Sequence, residues 1–177
     1  MPFAIITGGP GAGKTTLLSA LRVSGYATVG DTARELIAER KRQGLAPRPE
    51  PLEFAREIFR RDVSKYEEAG RLPGWVFFDR GALDALGMLH EAAELPSAEL
   101  DAQRDLFAVE RVFVLPPWAA IYATDSERDQ TWADSVAIHA RVVQWYQRLG
   151  YIPMEVPHAT PEARADFVLH ALGIETP

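Results

Sequence analysis

The segment Gly8-Gly9-Pro10-Gly11-Ala12-Gly13-Lys14-Thr15 constrains the possible folds of this chain more than any other. It matches the phosphate-binding pattern G-x-x-x-x-G-K-[ST] at every fixed position. The apolar run at residues 3–6 before it is typical of a buried parallel strand, and residues 16–21 after it indicate the start of a helix. The order strand, glycine loop and helix is the arrangement that a phosphate-binding loop requires.

The chemistry of such a loop follows from its residue types. Glycines allow backbone N–H groups to approach a triphosphate closely, and the helix N-terminus adds partial positive charge. We predict that Lys14 reaches the β- and γ-phosphates and that the Thr15 hydroxyl binds Mg²⁺. The alternative is a glycine-rich turn before an ordinary helix, which has no need of the lysine. The predicted nucleotide-binding residues are Gly8, Gly9, Pro10, Gly11, Ala12, Gly13, Lys14, Thr15 and Thr16.

Length and charge limit the other possibilities. A chain of 177 residues suits a single domain, here predicted to span residues 1–177. The net charge of −6 disfavours a duplex nucleic acid partner, and the absence of cysteine excludes disulfides and thiolate metal sites. No apolar stretch is long enough to span a bilayer, and the first residues lack the basic segment of a signal peptide. A cytoplasmic location is therefore the default expectation.

Strand and helix signals alternate along the rest of the chain. The spacing of Thr32 and Glu35 fits a capping box at the start of a helix. The alternation predicts an α/β fold with a mostly parallel sheet covered by helices on both faces, and ligands bind such sheets at the carboxyl ends of the strands. Later strands are predicted at residues 26–29, 75–78, 111–115 and 151–156, and later helices at residues 32–43, 52–69, 82–94, 98–108, 131–149 and 161–172.

Asp79 and Arg80 end the clearest apolar strand run. An acidic residue at this position in a chain with a phosphate loop is where a carboxylate that holds Mg²⁺ belongs. The alternative is that Asp79 only caps the helix that follows it. The planar guanidinium of Arg80 can reach a phosphoryl group, and a surface arginine is the alternative.

Asp31 ends the second predicted strand. A kinase needs a carboxylate near the acceptor hydroxyl, either to orient this hydroxyl or to take its proton, and Asp31 fits that role as well as it fits a helix cap. Arg34 lies one turn further along, where it either contacts an acceptor or belongs to a solvated helix face.

Arg128 lies in the polar segment between the fourth strand and the next helix. An arginine in a mobile loop can close over the phosphates and stabilise the transition state. The alternative is an ordinary solvated charged loop.

Short segments beyond the phosphate loop resemble one family. They are D-T-A-R-E from residue 31, F-F-D-R-G from residue 77 with Asp84, the pair Glu127-Arg128, and L-G-Y from residue 149 with the later V-P and P-E-A-R. Together with the loop, they are similar to the small AAA-domain "predicted ATPase" family, which includes the ribosylnicotinamide kinase domain and is related to nucleoside and thymidylate kinases.

The resemblance implies a three-layer P-loop NTPase fold with a five-stranded parallel sheet of order 2-3-1-4-5, and ATP and Mg²⁺ as ligands. It implies that Lys14 and Thr15 lie at the phosphates and metal, that Asp79 matches the Asp-Arg strand end of the kinases, and that Arg128 matches the lid arginine. Many members carry Glu where this chain has Asp31, so the carboxylate here is one methylene shorter.

Three functions remain open. The first is a small-molecule kinase that transfers the γ-phosphoryl group of ATP to a nucleoside, nucleotide or similar acceptor. The second is an ATPase or nucleotide-dependent switch that acts on a macromolecular partner. The third is a GTPase, which is disfavoured because the chain lacks an Asn/Thr-Lys-x-Asp segment. A motor of the AAA+ type is also disfavoured, because one helix after the last strand is too little for a helical lid domain.

Overall fold

A computed structural model describes residues 2–122 and 131–174. Its five strands pair in parallel in the order β2-β3-β1-β4-β5, which confirms the order that the family resemblance implied. The central strand is therefore the one that leads into the glycine loop. The strands are β1 (Phe3–Gly8), β2 (Ala27–Val29), β3 (Val76–Asp79), β4 (Arg111–Leu115) and β5 (Met154–Glu155).

Helices connect the strands close to where the sequence predicts them. The largest difference is β5, which has two residues where six were predicted. Pro153 and Pro157 flank β5 and have no N–H to donate to the sheet, which limits the ladder on either side. The helices are α1 (Lys14–Val23), α2 (Thr32–Arg42), α3 (Pro51–Ala69), α4 (Ala82–Ala93), α5 (Ser97–Leu106), α6 (Trp132–Arg148) and α7 (Pro161–Ala171), with a 3₁₀ turn at Ala119–Ile121.

The core lies on both faces of the sheet because successive side chains of a strand point to opposite faces. In β1, Phe3 and Ile5 face the layer formed by α3, α4, α5 and α6, whereas Ala4 and Ile6 face α1 and α7. All six residues of β1 are buried. Burial on both faces explains why its sequence is a continuous apolar run rather than an alternating one.

The start of α2 differs from the prediction. Asp31, not Thr32, is the N-cap, and its side chain accepts a hydrogen bond from the backbone N–H of Arg34 at 3.1 Å. The predicted capping box is wrong because both of its side chains have other partners. The Thr32 hydroxyl donates to Asp62 on α3, and Glu35 pairs with Lys65 at 2.7 Å.

Among the helices of the described ranges, none is both long and apolar enough to cross a membrane.

Candidate active site

The predicted site residues meet at the carboxyl edge of the sheet. The glycine loop follows β1, Asp31 follows β2, and Asp79 and Arg80 lie at the end of β3. These three strands are neighbours in the sheet, so their carboxyl ends open onto one cleft. Arg128 lies outside the described residues, and its predicted role stays a prediction.

The glycine loop has a backbone that other residues cannot easily adopt. Gly13 has φ of +84°, a left-handed conformation, directly before α1. A Cβ atom on Gly9 would lie 2.5 Å from the carbonyl oxygen of Ser135 on α6, so this approach also requires glycine. At the start of α1, Thr16 donates from its hydroxyl to the Gly13 carbonyl at 2.8 Å. The segment therefore has the tight curvature of a phosphate-binding loop.

Lys14 folds over the loop. Its ammonium group donates to the carbonyl oxygens of Gly8 at 3.2 Å and Gly9 at 2.9 Å. Burial and the nearby Arg80 guanidinium lower the pKa of Lys14 to about 8, although Asp79 and Asp31 act in the opposite direction. A bound polyphosphate would supply the negative charge that this buried ammonium lacks.

Side chains from distant parts of the chain support the loop from behind. The Ser135 hydroxyl on α6 donates to the Pro10 carbonyl at 2.7 Å. Arg164 on α7 is 1% exposed and donates from Nη2 to the Ala12 carbonyl at 3.0 Å, and its guanidinium lies 5.4 Å from the ring centre of Trp118. These two hydrogen bonds fix carbonyl groups of the loop from α6 and α7.

Asp79 lies beside the loop as a buried carboxylate. Its Oδ1 atom is buried and has no hydrogen-bond partner among the described residues. Burial raises the pKa of Asp79, and the Lys14 ammonium opposes this shift. Gly81 is the N-cap of α4, so the alternative that Asp79 caps this helix is wrong. An orphan carboxylate oxygen close to a phosphate loop fits a Mg²⁺ site shared with Thr15.

Arg80 connects the three strand ends. Its backbone has φ of +65°, which is unusual for a residue other than glycine. The guanidinium donates from Nη2 to the Gly8 carbonyl at 2.9 Å, and it lies 3.7 Å from Asp31 and 3.8 Å from Asp84. Arg80 is thus held between a carbonyl and two carboxylates, and the alternative of a solvated surface arginine is wrong.

Asp31 and Arg34 both face the cleft. Asp31 caps α2 with Oδ1 and directs Oδ2 toward Arg80, so the cap and the site position coexist in one residue. Arg34 is exposed, as a solvated helix face predicts, but its Nη1 atom also donates to the Thr15 hydroxyl at 3.3 Å. A guanidinium therefore lies next to the predicted metal ligand.

A buried network that sequence reasoning missed supports Arg80. Asp84 accepts hydrogen bonds from the hydroxyls of Thr7 and Tyr146, each at 2.6 Å. Burial raises the pKa of Asp84, while Arg80 and these two hydroxyls oppose the shift. Asp84 was visible only as part of the family resemblance, and nothing in the sequence connects it with Thr7 or Tyr146.

A cavity of about 390 Å³ extends from the loop between α2, α3, α4 and α6. Pro10, Lys14, Asp31 and Arg80 line its inner end, so it is continuous with the phosphate site. Apolar side chains form much of the wall, which also holds charged groups, among them the buried carboxylates Asp62 and Asp84 and cations such as Arg34 and Arg141. The apolar lining residues are Ile37, Phe54, Ile58, Ala85, Met88, Ile138, Val142 and Trp145.

Sequence reasoning named no individual ligand residue on α3 or α6, although both helices line this cavity. Their amphipathic spacing predicted buried faces but did not say which part of each face meets solvent. Within the described ranges, no cluster of three or more histidine or acidic side chains could hold a metal ion by itself. A Mg²⁺ ion at a phosphate loop uses few protein ligands and takes the rest from phosphate oxygens and water, so Thr15 and Asp79 fit this role.

The strand order, the glycine loop before α1 and the carboxylates at neighbouring strand ends define the P-loop fold. A model of the family described as "AAA domain" matches residues 3–164, and the chain belongs to that family. The family resemblance found in the sequence is thereby confirmed. None of the curated proteins matches this sequence.

Solved structures share the fold at low sequence identity. Deoxyadenosine kinase from M. mycoides with bound dATP has a TM-score of 0.63 and 12% identity, covering 97% of this chain and 99% of that chain. NadR in complex with NR has a TM-score of 0.66 and 18% identity, covering 99% of this chain and 53% of the NadR chain. This chain thus spans about half the length of NadR, and the similarity shows a common fold.

Proposed function

We propose that the protein is a Mg²⁺-dependent kinase that transfers the γ-phosphoryl group of ATP to a nucleoside, a nucleotide or a similar small acceptor. One observation carries this proposal: the cavity of about 390 Å³ begins at Lys14, Asp31 and Arg80. A phosphate loop with an enclosed cavity on the acceptor side fits transfer to a small molecule. The nucleoside and nucleotide ligands of the structural neighbours named above support the same acceptor class.

In this proposal the loop residues bind the phosphates. The backbone N–H groups of Gly9 and of residues 11–14, together with the Lys14 ammonium, hold the β- and γ-phosphates. Thr15 and Asp79 hold Mg²⁺, which neutralises charge on the phosphate oxygens when it is bound. Arg80 stabilises charge on the transferred group, and Arg128 is proposed to do the same from the segment outside the described residues.

Asp31 is proposed to act on the acceptor. The acceptor oxygen attacks the γ-phosphorus, the bond from that phosphorus to the bridging oxygen breaks, and ADP leaves. The hydroxyl proton passes to Asp31 Oδ2, which faces the cleft 3.7 Å from the Arg80 guanidinium. The hydrogen bond from the Arg34 N–H and the ion pair with Arg80 hold the Asp31 carboxylate in one orientation. Less entropy is therefore lost when the reactive geometry is reached.

The test is ATP turnover with Mg²⁺, with and without a panel of nucleosides, nucleoside monophosphates and nicotinamide riboside. Both ADP and the phosphorylated product are followed. We expect at least one acceptor to gain a phosphoryl group in amounts equal to the ADP formed. ADP release that is indifferent to every acceptor would contradict the proposal and favour an ATPase or switch that acts on a macromolecular partner.

A further inference from the structure

The cavity contains a carboxylate, Asp62 on α3, that the proposed transfer does not use. Asp62 is 7% exposed, and its neighbours on the same helix face, Phe54 and Ile58, precede it at intervals of four residues. All three side chains line the cavity. A carboxylate at such a position is costly to bury unless both of its oxygens find hydrogen-bond partners.

The hydrogen bonds of Asp62 leave one oxygen for a ligand. Oδ1 accepts from the Thr32 hydroxyl, and among the described residues Oδ2 has no hydrogen-bond partner. Oδ2 keeps some exposure to solvent, because the Asp62 side chain lines the cavity. The second oxygen is therefore available to whatever fills the cavity.

Among the described residues, no cation is hydrogen-bonded to Asp62, although the charge of Lys65 lowers its pKa. The nearest candidate, Lys65, lies one turn further along α3, but its ammonium group donates to the Gly30 carbonyl at 3.0 Å and to Glu35 at 2.7 Å. Burial raises the pKa of Asp62 to about 7. The hydrogen bond from Thr32 and the charge of Lys65 oppose this shift, whereas the charges of Asp84 and Asp31 add to it. A carboxylate oxygen that faces the cavity accepts hydrogen bonds and donates none when ionised, so it favours a ligand group that donates one.

We propose that Asp62 determines acceptor specificity by accepting a hydrogen bond from a second donor group on the acceptor, distinct from the hydroxyl that receives the phosphoryl group. This inference rests on the proposed function, because the ligand is the phosphoryl acceptor. Asp62 is tied to Thr32, which adjoins Asp31 in the chain. The second donor therefore lies near the reacting hydroxyl, as a sugar hydroxyl or a ring N–H of one small molecule does.

The experiment compares ligands that differ in one donor. The pairs are adenosine with 2′-deoxyadenosine, adenosine with 3′-deoxyadenosine, adenosine with N6,N6-dimethyladenosine, and thymidine with 3-methylthymidine. Dissociation constants are measured by calorimetry at pH 8.5, where Asp62 is ionised, and the transfer rate is measured in parallel. The variants are Asp62→Asn and, as a matched control, Asp166→Asn on the exposed face of α7.

We expect the wild type to favour the donor-bearing member of at least one pair by about 10- to 100-fold, the usual effect of a hydrogen bond to a charged group. Asp62→Asn should reduce that preference to about threefold or less, and Asp166→Asn should leave it unchanged. If Asp62→Asn loses the preference within a pair that differs by a deoxy position, the donor belongs to the sugar. If it loses the preference within a pair that differs by methylation, the donor belongs to the base. A preference that Asp62→Asn retains, or a wild type that distinguishes no pair, overturns the inference.

The same data separate this inference from the proposed function. A donor preference that depends on Asp62 without any phosphorylated product leaves the binding role intact and refutes the kinase. Product formation with equal donor preference in wild type and Asp62→Asn supports the kinase and refutes the role of Asp62. If Asp62→Asn fails to fold, Asp62→Glu keeps the charge but displaces it, and an unchanged donor preference in that variant would overturn the inference.

Discussion

The phosphate loop and the acceptor cavity are adjacent, but they are built in opposite ways. The loop is one continuous segment, Gly8 to Thr15, and the groups proposed to bind phosphate are mainly backbone amides in a segment whose glycines have positive φ. The cavity is lined by side chains from four helices between residues 31 and 145. The difference teaches that a backbone site leaves a readable local pattern, whereas a site made of scattered side chains leaves none.

The two regions also differ in how they carry charge. Side chains such as Ser135 and Arg164 hold the loop carbonyls, so the loop needs few charges beyond Lys14. The cavity lining instead combines carboxylates, of which the buried Asp62 and Asp84 have raised pKa values, with cations such as Arg34, Arg80 and Arg141. Variants on either side should therefore affect different measurements.

The largest expected effect is that of Asp31→Asn, a variant at the position where the phosphate loop and the cavity meet. Asp31→Asn should lower kcat about 100- to 10,000-fold, because an amide cannot take the acceptor proton. Asparagine is as good a helix cap as aspartate, so α2 should remain intact and the affinity for MgATP should change by less than about threefold. Steady-state kinetics and calorimetry measure the two quantities.

Asp31→Glu is the matched control for this variant, since it keeps the carboxylate. It should retain far more activity than Asp31→Asn. Equal losses of kcat and of ATP affinity in Asp31→Asn, or no loss of either, would contradict the assignment of Asp31 to the acceptor side.

The next effect is confined to the loop. Lys14→Ala should weaken MgATP binding about 100-fold, because it removes a buried charge partner of the phosphates. Nucleoside binding to the cavity should persist. Calorimetry with each ligand checks both expectations, with Arg71→Ala as a control for loss of an exposed cation. If MgATP affinity were unchanged, the loop would not be a nucleotide site.

A smaller effect concerns the cavity and pH. Folding raises the pKa of Asp62 from 3.8 to about 7. Below pH 4 the carboxyl is protonated in both the folded and the unfolded protein. As the pH rises through 7 the unfolded protein ionises more readily, so the folded protein loses stability. Asp62→Asn escapes this loss. Its free energy of unfolding relative to wild type should therefore increase between pH 5 and pH 8, by on the order of 2 kcal/mol.

Urea unfolding at the two pH values measures this difference. Lys65, Asp31 and Asp84 are the charged groups nearest to Asp62, and they are present in both proteins. A relative stability that stays constant with pH would show that Asp62 is already ionised at pH 5.

The smallest expected effect tests the support behind the loop. Ser135→Ala removes the donor to the Pro10 carbonyl and should lower the free energy of unfolding by about 1 kcal/mol. MgATP affinity should fall by a few-fold, while nucleoside affinity stays the same. Ser19→Ala, at an exposed position on α1, is the control. An equal loss of nucleoside affinity would mean that the loop and the cavity share this support.

Much of the fold could be predicted because its signals are local. The alternation of strands and helices, the glycine loop and the acidic ends of β2 and β3 all depend on short segments, and the structure brings them to one edge. The predicted capping box failed because Thr32 bonds to Asp62, thirty positions further along the chain. Asp62, Tyr146 and Arg164 were missed for the same reason, since their partners lie 30, 62 and 152 positions away.

The hydrogen bond from Arg34 to the Thr15 hydroxyl makes the two regions thermodynamically dependent on each other. A divalent cation at Thr15 would lie beside the Arg34 guanidinium, and because like charges repel, Arg34 has to turn toward a phosphate oxygen instead. Arg34 belongs to α2 and also lines the cavity, so in the proposed kinase nucleotide binding would alter the surface that receives the acceptor. By reciprocity, the factor by which nucleotide changes acceptor affinity equals the factor by which acceptor changes nucleotide affinity.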